Sequence, residues 1–203
     1  KGDRDGDNLV ELLRKTEKDE RDKAVAAWLE RNPETAKRLE KMVDEAAKKA
    51  GYRVEAWHGT QAEPFTVFAK TLDIGFHFGT EQQAKFKRPR RLMGARLLIR
   101  NPIRLPDHVW DTPRTLADGL RDIDSDGRVE AAAQTWEAAL REEKSISEDL
   151  EWNEYKAKYR DLRNARWAAG DAAKKVAQDA LRQAGYDGVI YSNEVEGKGD
   201  SYI

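Results

Sequence analysis

The chain has 203 residues, 37% of them charged and 39% hydrophobic, and a net charge of −1 at pH 7. That balance gives no global attraction to nucleic acid or to a membrane surface. The absence of cysteine excludes a disulfide framework and thiolate chemistry, and no apolar run is long enough to span a bilayer or to form a secretory h-region. The length suits one domain with an appendage. The sequence begins at Lys1 and stops inside an apparent strand at Ile203, as expected of a piece of a longer polypeptide.

Residues 1–8 are polar and read as a frayed tail. Leu9, Val10, Leu12 and Leu13, then Ala24, Val25, Trp28 and Leu29, recur at helical spacing. Between them lie the opposite-charge pairs Glu17/Arg21 and Asp19/Lys23, four apart. Asn32-Pro33 reads as a cap with a first-turn proline, and Gly51 closes the following helix, whose expected buried stripe is Ala36, Leu39, Val43, Ala46 and Ala50. Residues 1–51 therefore read as an N-terminal helical hairpin, either a packing scaffold or a recognition arm.

Residues 52–57 alternate as a strand and deliver His58. Residues 61–73 read as a loop carrying Phe65, Val67 and Phe68, and 81–87 as a short helix. Lys85, Lys87, Arg88, Arg90, Arg91, Arg96 and Arg100 cluster around Pro89. They form a solvated face, or else a patch for a pyrophosphate or an acidic or nucleic-acid target. A strand is expected at 95–100, ended by Asn101-Pro102, then a loop at 103–113 with Trp110 and a structural His108.

Helices are expected at 114–121, 129–143, 148–167 and 171–184, with Ser147 and Asp171 as caps. Their apolar stripes are Trp136 with Leu140; Trp152, Tyr155, Tyr159 and Leu162; and Val176, Ala180 and Leu181. Asp122, Asp124, Asp126 and Gly127 begin like a calcium loop, but its twelfth position is Ala133 rather than glutamate. A turn whose aspartates cap the next helix is the preferred reading. Strands are expected at 186–191 and from Asp200, with Glu194 and Glu196 in the loop between them.

Two stretches carry polar chemistry on an apolar background. Ala56-Trp57-His58-Gly59-Thr60 reads as a strand ending in a turn, and Gly75-Phe76-His77-Phe78-Gly79-Thr80 repeats the design ahead of a helix. Glycine lets the backbone approach a ligand closely, and histidine and threonine offer polar tips.

Together with Phe65, Phe68 and Ala84-Lys85-Phe86, these stretches resemble the NAD-binding core of ADP-ribosyltransferases of the diphtheria-toxin and poly(ADP-ribose)-polymerase type. The tail from Gly185 through Gly188-Val189-Ile190-Tyr191-Ser192-Asn193 to Asp200-Ser201-Tyr202-Ile203 is similar to the closing strands of the branch found in phage polyvalent proteins and bacterial toxin-like proteins. The resemblance covers residues 52–101 and 184–203, about a third of the chain.

It implies an α+β fold. A split β-sheet core over 52–203 would carry a large helical insertion at about 113–184, longer than the family core requires. It implies mono-ADP-ribosyl transfer from NAD, consumed as a substrate, to a macromolecular acceptor, protein ahead of nucleic acid. The parent would be a toxin, an effector or a phage-delivered protein acting in a cytoplasm, with a cognate inhibitor or immunity protein as a partner and no membrane role.

By resemblance, His58 would hydrogen-bond a ribose hydroxyl and Gly59 would present its backbone to the nicotinamide amide, with Thr60 beside it. His77, where many relatives have tyrosine, would flank the nicotinamide; Phe78, Ala84 and Phe86 would form the wall. The polymerase-like pattern opens the last strand with a catalytic glutamate in a sequence like Asn-Glu-Tyr-Ile. Here Asp200-Ser201-Tyr202-Ile203 puts Ser201 at that place. The carboxylate is therefore expected from Glu196, then Glu194, with Asp200 behind them. Alternatives are an inactive NAD- or ADP-ribose-binding module, a helical interaction module, and RNA 2′-phosphate removal on the same fold.

Overall fold

The computed structural model describes residues 18–62, 65, 68, 73–147 and 149–203. The expected tail, the Leu9–Leu13 repeat and Val67 lie outside the described residues, as do the Glu17 and Asp19 side chains of the two expected ion pairs and the side chain of Trp110. Helix and strand are mixed, in the α+β class. No helix among the described residues is long and apolar enough to cross a membrane.

Asn32 alone separates α1 (Lys18–Arg31) from α2 (Pro33–Lys49). Proline suits a first helical turn, where its missing N–H costs nothing. The Asn32 amide donates back to the Trp28 carbonyl at 2.8 Å. Trp28 is buried, but α2 buries no residue: Val43 is 68% exposed and Ala46 and Ala50 are also exposed. The expected buried stripe of α2 is thus corrected. Helical periodicity marks an apolar face, but among the described residues this one is covered only in part, at the half-buried Ala36 and Leu39. Charge ties α2 to the sheet, since Arg96 bonds both Asp44 and Glu55.

The sheet is split. β1 (Val54–Thr60) pairs antiparallel with β2 (Arg91–Leu97), placing His58 opposite Met93. β4 (Gly188–Ser192) runs parallel to β3 (Pro102–Arg104) and antiparallel to β5 (Asp200–Tyr202). Phe78 and Gly79 join the halves through bridges to Tyr202 and Trp57, with N–H···O distances of 2.7–2.9 Å. The order across the molecule is β2, β1, 78–79, β5, β4, β3.

Two strand expectations are corrected here. The strand after Pro89 begins at Arg91 rather than residue 95, so part of the basic cluster is strand, and 76–78 contributes a single bridge rather than a strand of its own.

The helices are α3 (Glu81–Lys85), α4 (Pro113–Leu120), α5 (Arg128–Lys144) and α6 (Trp152–Gln183), with a 3₁₀ turn at Asp107–Trp110. The two helices expected at 148–167 and 171–184 are one. Gly170 sits inside α6, where packing against α5 outweighs its propensity cost of about 1 kcal/mol. Neither Ser147 nor Asp171 is therefore a cap. Asp124 does cap α5, accepting from the N–H groups of Val129 and Glu130 at 3.1 and 3.0 Å. Leu105, Val109, Leu116, Leu120, Val129, Ala133, Ala177 and Val189 form one core between the helical block and the β3–β4–β5 half.

Candidate functional site

A cavity of about 590 Å³ opens between the two halves of the sheet, within the range of small-molecule sites. His58, Gly59, Thr60, His77, Phe78, Phe86, Glu196 and Ser201 all line it, although they come from both ends of the resemblance. Glu194 and Asp200 do not.

His58 stands near the end of β1, and its Nδ1 donates to the His77 carbonyl at 2.8 Å. Since a carbonyl only accepts, Nδ1 carries the proton and Nε2 is the acceptor of the neutral ring. The rings of Phe68, Phe76 and Phe78 surround the imidazole at 5.2, 6.4 and 5.4 Å. This aromatic box fixes the ring's plane.

His77 is engaged at both nitrogens. Nε2 lies 3.2 Å from Asp73 Oδ2, and Nδ1 lies 3.1 Å from the Tyr191 hydroxyl. Its ring thus belongs to a polar chain from Asp73 to Tyr191. Burial raises the Asp73 carboxyl, but the His77 hydrogen bond, the Ile74 N–H and the charges of His77 and Lys174 outweigh it and hold Asp73 below 3.8. Burial pushes the Tyr191 phenol up to about 12; the charges of Glu196, Asp107 and Asp73 add to that, while a Ser201 hydrogen bond opposes it. Tyr191 therefore stays neutral at physiological pH.

The loop between β4 and β5 is built around Asn193, which is buried. Asn193 Oδ1 accepts from the N–H groups of Val195 and Glu196, and its Nδ2 donates to Glu196 Oε2 and to Ser201 Oγ, both at 3.1 Å. Lys87 Nζ lies 3.4 Å from Glu196 Oε1, leaving the Glu196 side chain 27% exposed beside an 81% exposed lysine. Gln83, 4% exposed, holds the same loop from α3: its Nε2 donates to the carbonyls of Gly197 and Gly199 at 3.0 and 3.1 Å. Its Oε1 accepts from Thr80 N at 2.7 Å and closes the capping box of α3.

Glu194 is exposed and points its backbone N–H at Asp107 Oδ2, 2.9 Å away. It lines a neighbouring cavity of about 700 Å³ with Arg104 and His108. Asp200 is held by Arg104 through two hydrogen bonds of 2.8 Å, which keeps its carboxyl low. Of the three carboxylates weighed from sequence, only Glu196 is in the cavity with His58.

Gly59 has a different reason from the one its motif suggests. A Cβ there would stand 2.2 Å from the Ala84 carbonyl oxygen, so the room left by hydrogen is taken by the end of α3 rather than by a ligand. Thr60 uses its hydroxyl to accept from Ala62 N at 3.1 Å. Phe86 is 52% exposed and forms the rim. Of the seven-residue basic cluster, only Lys87 lines the cavity; Asp73, Asp107, Asp111 and Glu196 make its charge predominantly acidic.

Sequence reasoning missed Gln83, Asn193, Asp73 and Tyr191 as site residues and weighed Lys87 only as one member of a basic cluster. The Thr80–Gln83 capping-box spacing and the Asn193-Glu-Val-Glu turn were the available signals for two of them. Asp73, Lys87 and Tyr191 join the site only through distant contacts. No group of three or more His, Asp or Glu side chains among the described residues is placed to hold a metal ion. Comparison with protein-family models, curated proteins and solved structures finds no match.

Proposed function

We propose that the chain is an NAD-dependent mono-ADP-ribosyltransferase acting on a macromolecule. The observation that carries this reading is the meeting of His58 and Glu196 in one cavity walled by Phe78 and the Gly79 bridge. The order β2, β1, 78–79, β5, β4, β3 supports the split-sheet core of that superfamily. The acidic lining favours a cationic nicotinamide ring and the positive charge that builds on the ribose as the glycosidic bond breaks.

His58 accepts from a ribose hydroxyl through Nε2, while its Nδ1 bond fixes the ring. Glu196 faces the developing charge and takes the proton of the attacking acceptor. Nicotinamide leaves with the electron pair of the broken bond. Lys87, exposed and flexible, releases Glu196 to this task and offers its charge to a phosphate oxygen.

The test is nicotinamide release from NAD by the purified chain, beside His58→Ala and Glu196→Ala. Loss in both variants supports the assignment. Full release by Glu196→Ala overturns the role of that carboxylate.

One observation favours a second reading, an NAD- or ADP-ribose-binding module without turnover. Ser201, buried and hydrogen-bonded to Asn193, stands where the polymerase-like pattern has its glutamate, and Glu196 is already paired with Lys87. NAD binding by calorimetry with no nicotinamide release would establish that reading instead.

A further inference from the structure

The first half of α6 carries a ladder of aromatic and cationic side chains that the cavity does not use. Trp152, Tyr155 and Tyr159 stand one helical turn apart with centroids 6.2 and 6.1 Å apart and ring planes within 5° and 3° of parallel. Lys156 Nζ lies 4.8 Å from the Trp152 centroid, and the Arg163 guanidinium lies over Tyr159 at 5.5 Å and Trp167 at 4.8 Å. Arg163 Nε is buried with no hydrogen-bond partner among the described residues, so stacking sets its place. Trp152 and Trp167 are 64% and 54% exposed, and every buried residue of α6 falls at Ala173 or beyond.

Such a stripe on a solvated helix is costly unless something covers it. The local charge says what. Residues 152–167 hold Lys156, Lys158, Arg160, Arg163 and Arg166 against Glu154 and Asp161, on a chain whose net charge is −1. Arg166 is paired with Glu143 and Arg160 lies 3.3 Å from Asp161, which leaves Lys156, Lys158 and Arg163 against Glu154, a local positive excess.

We propose that this face of α6 binds single-stranded nucleic acid. Bases stack on the exposed rings and the interleaved cations meet the phosphates, a combination that is sequence-tolerant because every base has a π-face. A folded protein surface offers no comparable series of flat faces joined by anionic links. The opposite half of the same helix reaches the cavity, through Lys174 to Asp73 and Gln178 to the Ile74 carbonyl. Tyr155 and Lys174 are nineteen positions apart, about 28 Å along an α-helix.

The test uses the full chain and a labelled 20-nucleotide oligouridine, followed by fluorescence anisotropy at low and moderate salt. It contains no NAD, so its outcome is separate from that of the cavity. Binding is expected, with tryptophan fluorescence quenched. Trp152→Ala and Tyr159→Ala should each weaken it roughly tenfold, Tyr159→Phe should restore it, and Lys156→Gln should lower the slope of log affinity against log salt by about 0.7.

Absence of binding at low salt, equal binding to duplex RNA, or unchanged affinity in both alanine variants would overturn the proposal. So would a chain dimer by light scattering that Trp152→Ala converts to monomer, which would show a second copy covering the ladder. Should an alanine variant fail to fold, Tyr159→Phe and Lys156→Gln decide.

Discussion

His58 Nδ1 donates to the backbone carbonyl of His77, 2.8 Å away, so the two histidine motifs are joined ring to backbone rather than ring to ring. The bond orients one imidazole and leaves its Nε2 as acceptor, while the other imidazole serves Asp73 and Tyr191. The substitution His58→Asn separates the two roles. Its amide NH₂ imitates Nδ1 but cannot imitate Nε2. Nicotinamide release should fall roughly 10- to 100-fold, the rate equivalent of one lost hydrogen bond to a polar or charged group. Thermal melting should stay within a few degrees of the unmodified chain. Unaltered release would remove Nε2 from the reaction.

Gln83 and the loop of Glu196 form a second long-range link, across 114 positions. Gln83→Ala leaves Thr80 N–H and the Gly197 and Gly199 carbonyls without this partner. A loss of about 1–3 kcal/mol in stability is expected. Amide exchange across 193–199 should rise while that of α5 does not, and NAD cleavage should drop more than NAD binding. Unchanged exchange in the loop would mean that Asn193 alone organises it.

Gly59→Ala tests packing rather than ligand approach. The new Cβ meets the Ala84 carbonyl, a backbone atom that moves only if α3 moves. Overpacking of this kind costs about 1–3 kcal/mol. A denaturant melt that shows no loss would show that α3 yields freely.

Asp73 should leave a signature in acid. Its folded pKa lies below the ordinary 3.8, so the stabilisation it gives is fully present above that value and is lost as pH falls through the folded one. Other carboxylates titrate in the same range, so the informative quantity is the difference in melting temperature between the unmodified chain and Asp73→Asn. That difference should be largest at neutral pH and shrink below 3.8. A difference constant from pH 7 to pH 3 would contradict the Asp73–His77 bond.

Leu120, 1% exposed at the end of α4, belongs to the core that joins the helical block to β4. Leu120→Ala should cost about 2–5 kcal/mol by lost transfer energy and a residual cavity. Equilibrium unfolding in urea measures it directly. A cost under 1 kcal/mol would mean that the helical block can collapse onto the gap.

How far the sequence was legible depends on the range of the forces involved. Local signals gave good element positions where capping or periodicity is strong. Asp124 caps α5 and the small-residue turn at Gly79-Thr80 opens α3, while Thr112-Pro113, read as the end of a loop, opens α4. The same signals failed at Gly170, which was read as a break and lies inside α6, and at Val43, whose face was read as buried and is exposed. In both places the sequence describes a propensity, and packing by other segments decides the result.

The sequence by itself determined the mixed helix–strand class, the presence of the strands that carry His58 and the tail, and the residue types offered to the cavity. These follow from periodicity, turns and side-chain chemistry within a few positions. Only the tertiary structure decided that Glu196 enters the cavity while Glu194 and Asp200 do not, that His77 is engaged at both ring nitrogens, and that Gln83 and Asn193 hold the loop. Each of these outcomes depends on contacts between segments far apart in the chain. Glu194, Glu196 and Asp200 lie within seven positions of one another, yet the folded loop turns only Glu196 into the cavity and leaves Asp200 on Arg104, and no local pattern carries that information.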